Sequence, residues 1–125
     1  MSLIPELFNK ALSSFQNGQF DVATTEITKL LDSAPKNADV LHLAALNEKA
    51  KLNYKDSEKY FRDSLKCSAN QPVVLSNLAN LLKTMSKSAE ADKFYLEAIA
   101  ILPSLREAWL NRGLLAKEML DWKQA

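Results

Sequence analysis

Large and small apolar residues recur along this chain every 34 residues, and no gap is needed to align them in columns. Two columns hold small residues, three hold bulky ones, and one is mainly aromatic with a serine at position 88. The small columns are Ala11/Ala45/Ala79/Gly113 and Ala23/Ser57/Ala91/Ala125, the bulky ones are Leu7/Leu41/Leu75/Trp109, Ile27/Phe61/Tyr95 and Leu31/Leu65/Ile99, and the mainly aromatic one is Phe20/Tyr54/Ser88/Trp122. Small residues let two helix backbones approach, and large ones fill the space around them. The columns therefore predict antiparallel helix pairs that stack repeat upon repeat.

The turn-forming residues place the predicted helices. Asn17-Gly18, Asn53 and Ser86 interrupt the pattern within a pair, and Pro35 and Pro103 end the second helix of a pair. The predicted helices cover about residues 4–16, 20–32, 38–51, 54–67, 72–85, 88–101 and 105–120. They form three full repeats, 4–37, 38–71 and 72–105, followed by a half repeat over residues 106–125.

These columns resemble the tetratricopeptide repeat, which has a period of about 34 residues and a large–small–aromatic pattern followed by Ala, an aromatic residue and a closing Pro. Trp109, Gly113 and Trp122 fall where the family expects them, whereas Lys10, Ser64 and Ala69 depart from its pattern. The resemblance covers nearly the whole chain. It implies an all-α fold, a right-handed superhelical α-solenoid.

Composition and charge exclude several classes of protein. A chain of 125 residues predicts one domain, and a net charge of +1 gives no general attraction to nucleic acid or to a membrane. The N-terminus MSLIPELF lacks the features of a signal peptide, and no apolar run is long enough to span a bilayer. The expected location is cytoplasmic, unless an export signal has been removed. The single Cys67 excludes an intramolecular disulfide.

The resemblance also implies a binding site, because the family binds its ligands mainly in a concave groove lined by the first helix of each pair. The matching positions are Phe8, Leu12, Phe15, His42, Leu46, Lys49, Ser76, Asn77, Asn80, Lys83, Leu110, Asn111, Leu114 and Lys117. Asparagine amides can hydrogen-bond an extended peptide backbone, and aromatic pockets can take its side chains. The alternative is that Phe8, Leu12 and Phe15 only close the N-terminal edge of the fold.

Asn77 and Asn111 occupy the same position in successive repeats and are predicted to form a ladder along the groove, with Asn80 one helical turn beyond Asn77. The sequence SNLAN…WLNRG resembles the repeats of O-linked N-acetylglucosamine transferases and related bacterial repeat proteins. The alternative is that asparagine is simply common at this family position. A clamp for C-terminal carboxylates is rejected, because Asn77 alone matches its pattern over repeats 2 to 4 and Glu107 would repel the ligand.

No residue pattern points to catalysis, to a metal or to a cofactor. His42 has no second histidine or nearby cysteine, so neither a zinc site nor a catalytic role is expected. Cys67 is expected to be a small core residue. The fourth predicted helix carries the basic stripe Lys55, Lys59, Arg62 and Lys66. Acidic residues are interleaved with this stripe, which predicts a solvated face and not a nucleic-acid site.

The sequence therefore predicts a non-enzymatic scaffold that binds a peptide segment of a partner protein. Two alternatives stay open: the substrate-recruiting array of a larger glycosyltransferase or sulfotransferase, and a structural module that assembles through its ends. The last helix lacks an in-chain partner, so the chain is expected to be a fragment of a longer protein. It is also expected to self-associate through Leu110, Leu114, Leu115, Met119 and Trp122.

Overall fold

Helices make up the structure, a computed structural model that describes the backbone of residues 3–124 and the side chains of residues 3–120. The helices are α1 Ile4–Gln16, α2 Phe20–Ser33, α3 Ala38–Ala50, α4 Tyr54–Cys67, α5 Pro72–Thr84, α6 Ser88–Ile101 and α7 Arg106–Gln124. Residues 3–124 contain no strand. None of these helices is long and apolar enough to cross a membrane.

The chain divides into two compact units, the N-terminal unit (residues 1–69, with α1 to α4) and the C-terminal unit (residues 70–125, with α5 to α7). Within the N-terminal unit, Ser57 near the start of α4 donates to the carbonyl oxygen of Ala45 at 2.7 Å. Ser64, late in α4, donates to the carbonyl oxygen of Ala38 at the start of α3, at 2.8 Å. Early residues of one helix thus meet late residues of the other, which confirms the predicted antiparallel pair.

The columns seen in the sequence form the buried interior of both units. Buried members include Ala11, Ala45, Ala79, Ala23, Ala91, Phe61 and Tyr95, all fully buried, and Ile27 at 4% exposure. Ser64 departs from the family's alanine without penalty, because its buried hydroxyl is satisfied by the backbone bond to Ala38. Gly113 is the exception in its column, since it is exposed. The side chains of Trp122 and Ala125, the last members of two columns, lie outside the described residues.

The turns within the three helix pairs share one geometry. Gly18, Leu52 and Ser86 have φ of 77°, 68° and 63°. In each turn the N–H of the left-handed residue donates to the carbonyl oxygen three residues earlier, as Leu52 does to Lys49 at 2.9 Å. The N–H of the next residue donates to the carbonyl oxygen five residues earlier, as Asn53 does to Glu48 at 2.9 Å. This is the Schellman ending of a helix, for which glycine is favoured.

Leu52→Gly is expected to raise the free energy of unfolding by about 1 kcal/mol. A non-glycine residue in the left-handed region costs roughly 1–2 kcal/mol, and Leu52 is 70% exposed, so little apolar burial is lost. Urea denaturation followed by circular dichroism measures the change. Gly18→Leu, the reverse substitution in the same column, is the matched control and should destabilise; a drop in stability for Leu52→Gly would refute the strain argument.

The last helix, α7, departs from the repeat. It runs to Gln124 and therefore continues through residue 120. Residue 120 occupies the column of Gly18, Leu52 and Ser86, the left-handed residues that follow α1, α3 and α5. Leu115 is predicted to be exposed on this helix, but its side chain is only 1% exposed. It occupies the column of the buried Leu81 and lies on the side of α7 that packs against α6. The expectation that Leu115 is available for self-association is therefore wrong.

The polar face of α4 agrees with the sequence at its basic stripe but not at its last residue. Arg62 Nε lies 2.9 Å from Glu58 Oε2, and Lys66 Nζ lies 3.9 Å from Asp63 Oδ1, so acidic neighbours pair with part of the stripe. The prediction for Cys67 is wrong: it is the last residue of α4 and is exposed. A residue at the end of a helix can extend beyond the helix that packs against it, which the period alone does not reveal.

A buried polar link joins α2 to α3 in the N-terminal unit. Asn47 is 1% exposed and occupies the column of Leu81 and Leu115. Its Nδ2 donates to the Phe20 carbonyl oxygen at 3.2 Å and to Thr24 Oγ1 at 2.9 Å. Since helix positions advance by about 100° per residue, this contact turns residues 42 and 49 to the opposite side of α3, and residue 46 to its flank.

Candidate functional site

The predicted site residues of α1 lie on the edge of the core. Phe8, Leu12 and Phe15 are half-buried, and all three pack against the buried cluster of the N-terminal unit. The ring of Phe15 lies 5.8 Å from that of Phe20, measured between centroids. These side chains therefore have a packing role, and each keeps part of its surface exposed.

A cleft of about 240 Å³ lies between α1 and the start of α3. Its walls combine apolar and polar side chains, namely Ile4, Pro5, Phe8, Asn9, Asn37, Asp39 and Val40. Asn37 caps α3 through its Oδ1, which accepts from the N–H groups of Asp39 and Val40 at 3.0 and 3.2 Å. This cap fixes the polar wall of the cleft, and Phe8 is the one predicted site residue within it.

The predicted site residues of α3 carry two bases whose charged forms are disfavoured. Burial lowers the pKa of His42, although the Asp39 carboxylate acts in the opposite direction. The His42 ring lies 6.0 Å from the Phe61 ring, so it borders the core. Burial also lowers the pKa of Lys49. Leu46 is also half-buried, so this part of α3 carries one apolar and two basic side chains.

In the C-terminal unit, Asn80 is engaged by its own repeat. The hydroxyl of Tyr95 on α6 donates to Asn80 Oδ1 on α5. Burial and the Glu118 carboxylate raise the pKa of Tyr95 to about 12, which keeps this donor protonated. Asn80 therefore links the two helices of its pair, and one lone pair of its Oδ1 is already occupied.

An ion pair joins α5 to α7 on the same face. Lys83 Nζ lies 3.6 Å from Glu118 Oε1, and the two side chains are 23% and 64% exposed. A pair this exposed contributes roughly 0–1 kcal/mol, so it mainly orients the two side chains. Lys117 is exposed. Part of the positive charge predicted for this site is thus neutralised within the unit.

The remaining predicted residues differ in their access to solvent. Ser76 is 4% exposed and cannot reach a ligand without a rearrangement. Asn77 and Asn111 are half-buried, on α5 and α7 respectively. Leu110 and Leu114 are 64% and 45% exposed. The asparagine ladder of Asn77 and Asn111 stays a prediction.

Sequence reasoning missed the partners that decide what these side chains can do. Tyr95 and Glu118 engage Asn80 and Lys83, and Asn9 and Asp39 line the cleft. One signal was present in the columns: Leu46 is replaced by Asn80 in the same repeat in which Phe61 is replaced by Tyr95. The change of two apolar residues to polar ones in the same repeat indicates a contact between them.

Among the described residues, no group of three His, Cys, Asp or Glu side chains is arranged to hold a metal ion. His42 lies against Phe61 and near Asp39, and Cys67 lies at the far end of α4. The predicted site residues carry mainly apolar side chains, amides and a few amines.

Antiparallel helix pairs of nearly equal length, closed by the same turn and repeated at a fixed period, define a helical-repeat protein. Residues 73–104 match the tetratricopeptide repeat family model. That segment is a tetratricopeptide repeat, and the predicted all-α solenoid class of the chain is confirmed by the solved structures that it resembles. No curated protein matches the chain.

Three solved structures illustrate the likeness. Pseudomonas aeruginosa pilF is 23% identical with a TM-score of 0.86, over 93% of this chain and 53% of that chain. The first tetratricopeptide repeat domain of Spaghetti (RPAP3), bound to the HSP90 peptide SRMEEVD, is 19% identical with a TM-score of 0.88, over 94% and 93%. A Thermobaculum terrenum O-GlcNAc transferase is 20% identical with a TM-score of 0.85, over 90% and 22%. This chain thus spans about half of the pilF chain and under a quarter of the transferase.

Proposed function

We propose that this protein is an interaction module that binds a peptide segment of a partner protein and performs no catalysis. The family of residues 73–104 and the fold support this role, as does the Spaghetti (RPAP3) domain, which has the same fold and holds a peptide. Each unit has its own candidate surface, the α1/α3 face in the N-terminal unit and the α5/α7 face in the C-terminal unit.

The cleft between α1 and α3 is the observation that carries the proposal. Its volume of about 240 Å³ suits one large side chain of a peptide, and Ile4, Phe8 and Val40 give it apolar walls. Asn9 and Asp39 at its rim can hydrogen-bond the peptide backbone on either side of that side chain. The ligand expected here is an extended segment with one buried aliphatic or aromatic anchor.

A phage-displayed library of random peptides, panned against the full chain, tests the proposal. Asn9→Arg places a long charged side chain at the cleft and is expected to weaken binding of an enriched peptide by about tenfold or more, equivalent to about 1.4 kcal/mol. Gln16→Arg makes the same change at another exposed position of α1 and is the matched control. Fluorescence anisotropy with a labelled peptide gives the two dissociation constants.

The C-terminal unit is tested with Asn77→Ala/Asn111→Ala. Asn80 is left unchanged in this variant, because removing it would also remove the acceptor of Tyr95. Weaker binding with an unchanged unfolding midpoint supports the asparagine ladder. If no peptide is enriched, or if the enriched peptide binds Asn9→Arg and the double variant as tightly as the unaltered chain, the proposed surface is wrong.

A further inference from the structure

A stripe of four side chains runs along α3, from the cleft to the last turn of the helix. Its members, here the α3 stripe, are Asp39, His42, Leu46 and Lys49. Their spacing of three, four and three residues places them on the same face of the helix. Asp39 lines the cleft between α1 and α3, and Lys49 lies in the last turn of α3. The stripe thus connects the proposed site of the peptide anchor to the far end of α3.

Lys49 differs from the other lysines of the N-terminal unit. Within residues 3–69, Lys49 and Lys51 are the lysines that are half-buried, and the others are exposed. Lys51 has partners on α2, since its Nζ lies 3.5 Å from Asp21 Oδ1 and 3.1 Å from Thr24 Oγ1. The Lys49 ammonium group forms no ion pair or hydrogen bond with any residue that the structure describes. The charge of Lys49 is therefore partly buried and uncompensated.

Partial burial makes this ammonium group a favourable partner for a carboxylate. Burial lowers the pKa of Lys49, because the charged form loses part of its hydration. An opposite charge compensates for that loss, and its attraction is stronger here than at an exposed lysine because less water screens it. The helix macrodipole also favours a basic residue in the last turn of α3, but an exposed lysine would serve that purpose equally well.

An uncharged part of the surface separates the cleft from Lys49. Leu46 of the stripe and Leu12 and Phe15 of α1 are half-buried and carry no charge. Ten positions separate Asp39 from Lys49, which corresponds to about 15 Å along a helix that rises about 1.5 Å per residue. Because an extended peptide rises about 3.3 Å per residue, a ligand whose anchor fills the cleft places at Lys49 the side chain about four or five residues away.

We propose that Lys49 binds the side-chain carboxylate of an aspartate or glutamate that lies about four or five residues from the anchor of the peptide. Such a ligand specifies the chemistry of the peptide in the proposed function, on which the inference rests. The recognised group is a side chain inside an extended segment, and not the C-terminal carboxylate of the clamp that the sequence excludes. Asp39 sets the direction of the charge pattern, because it would repel an acidic ligand residue placed beside it.

Peptides enriched from the random phage library, aligned on their large apolar residue, test the separation. The unaltered chain is expected to enrich aspartate or glutamate at about the fourth or fifth residue from the anchor. Lys49→Glu reverses the charge and is expected to enrich lysine or arginine at the same positions, from the same library. The two alignments should share the anchor, because Lys49 is not part of the cleft.

Fluorescence anisotropy measures the size of the effect with one enriched acidic peptide and with its amide analogue, in which asparagine or glutamine replaces the acidic residue. Lys49→Met removes the charge and keeps an apolar stem, and it is expected to weaken binding of the acidic peptide by about tenfold. The amide analogue should bind Lys49→Met and the unaltered chain within about threefold of each other. Lys29→Met, at an exposed lysine of α2, is the matched control and should bind both peptides as the unaltered chain does.

Three results would overturn the role of Lys49. Enriched peptides could lack an acidic residue at this separation, or an acidic peptide could bind Lys49→Met as tightly as the unaltered chain. In both cases a loss of about tenfold in Asn9→Arg would still support the proposed function. Equal losses in Lys49→Met and Lys29→Met would indicate general charge attraction, which is the third such result. If the library enriches no peptide, the proposed function fails, and the role of Lys49 fails with it.

Discussion

Phe61→Ala is expected to lower the free energy of unfolding of the N-terminal unit by about 3–5 kcal/mol, the usual cost of removing a buried aromatic side chain. Phe61 is fully buried in α4 and lies against the His42 ring of α3. Its column holds Ile27 and Tyr95 in the neighbouring repeats, which are also buried. Because the surrounding helices are tied by the Ser57 and Ser64 backbone contacts, they cannot collapse freely into the cavity.

Two spectroscopic probes can show which unit loses stability in Phe61→Ala. Both tryptophans, Trp109 and Trp122, lie in the C-terminal unit, so tryptophan fluorescence reports on that unit while circular dichroism reports on all helices. Phe61→Ala should shift the circular dichroism transition in urea and speed amide exchange in α3 and α4. Val22→Ala, at an apolar residue that is 49% exposed, is the control and should change stability by less than about 0.5 kcal/mol. An unchanged exchange rate in α3 and α4 would contradict the assignment of Phe61 to the core.

Most of the helix boundaries follow from the sequence because they are set locally. The predicted α1, α4 and α6 match the structure residue for residue, and α2, α3 and α5 differ by one residue. Pro72 begins α5 and Asn37 caps α3, so these starts need no tertiary information. Burial of the columns also follows, since small residues alternate with large ones at a fixed period.

The end of α7 could not be predicted, because local sequence does not decide it. Leu52 and Leu120 are both leucine and occupy the same column, yet Leu52 has φ of 68° and Leu120 is helical. Leucine has no preference for the left-handed turn. At Leu52 the packing of α4 on α3 stabilises the turn, whereas no described helix packs on the corresponding face of α7. Tertiary contact, and not residue type, selects the turn.

In the candidate site, too, some features follow from the sequence and others depend on tertiary contacts. The period predicts which helix face each residue occupies, but it does not predict which groups are already engaged. Lys83 and Lys117 belong to one column, yet Lys83 is paired with Glu118 and Lys117 is exposed. Ser76 is buried although its column includes His42, which is half-buried. These differences depend on neighbouring helices that the sequence pattern does not describe.

Asn80→Ala is expected to lower the free energy of unfolding by about 1–3 kcal/mol, because it leaves the buried Tyr95 hydroxyl without its acceptor. Tyr95→Phe should cost less, since Asn80 is half-buried and can turn to water. Asn80→Leu/Tyr95→Phe introduces the apolar pair found at residues 46 and 61 of the preceding repeat. Because it removes both polar groups together, the double variant should recover most of the stability lost in Asn80→Ala.

Alkaline pH tests a separate property of Tyr95, the burial of its hydroxyl beside the Glu118 carboxylate. The pKa of Tyr95 is raised from 10.0 to about 12, so the folded state retains a proton that the unfolded state releases above pH 10. Stability contributed by Tyr95 is therefore fully present below pH 10 and is lost as the pH rises towards 12. Urea midpoints between pH 9 and pH 12 should fall less steeply for Tyr95→Phe than for the unaltered chain. Parallel pH profiles would contradict the raised pKa of Tyr95. An additive loss in the double variant would show that Asn80 and Tyr95 act independently.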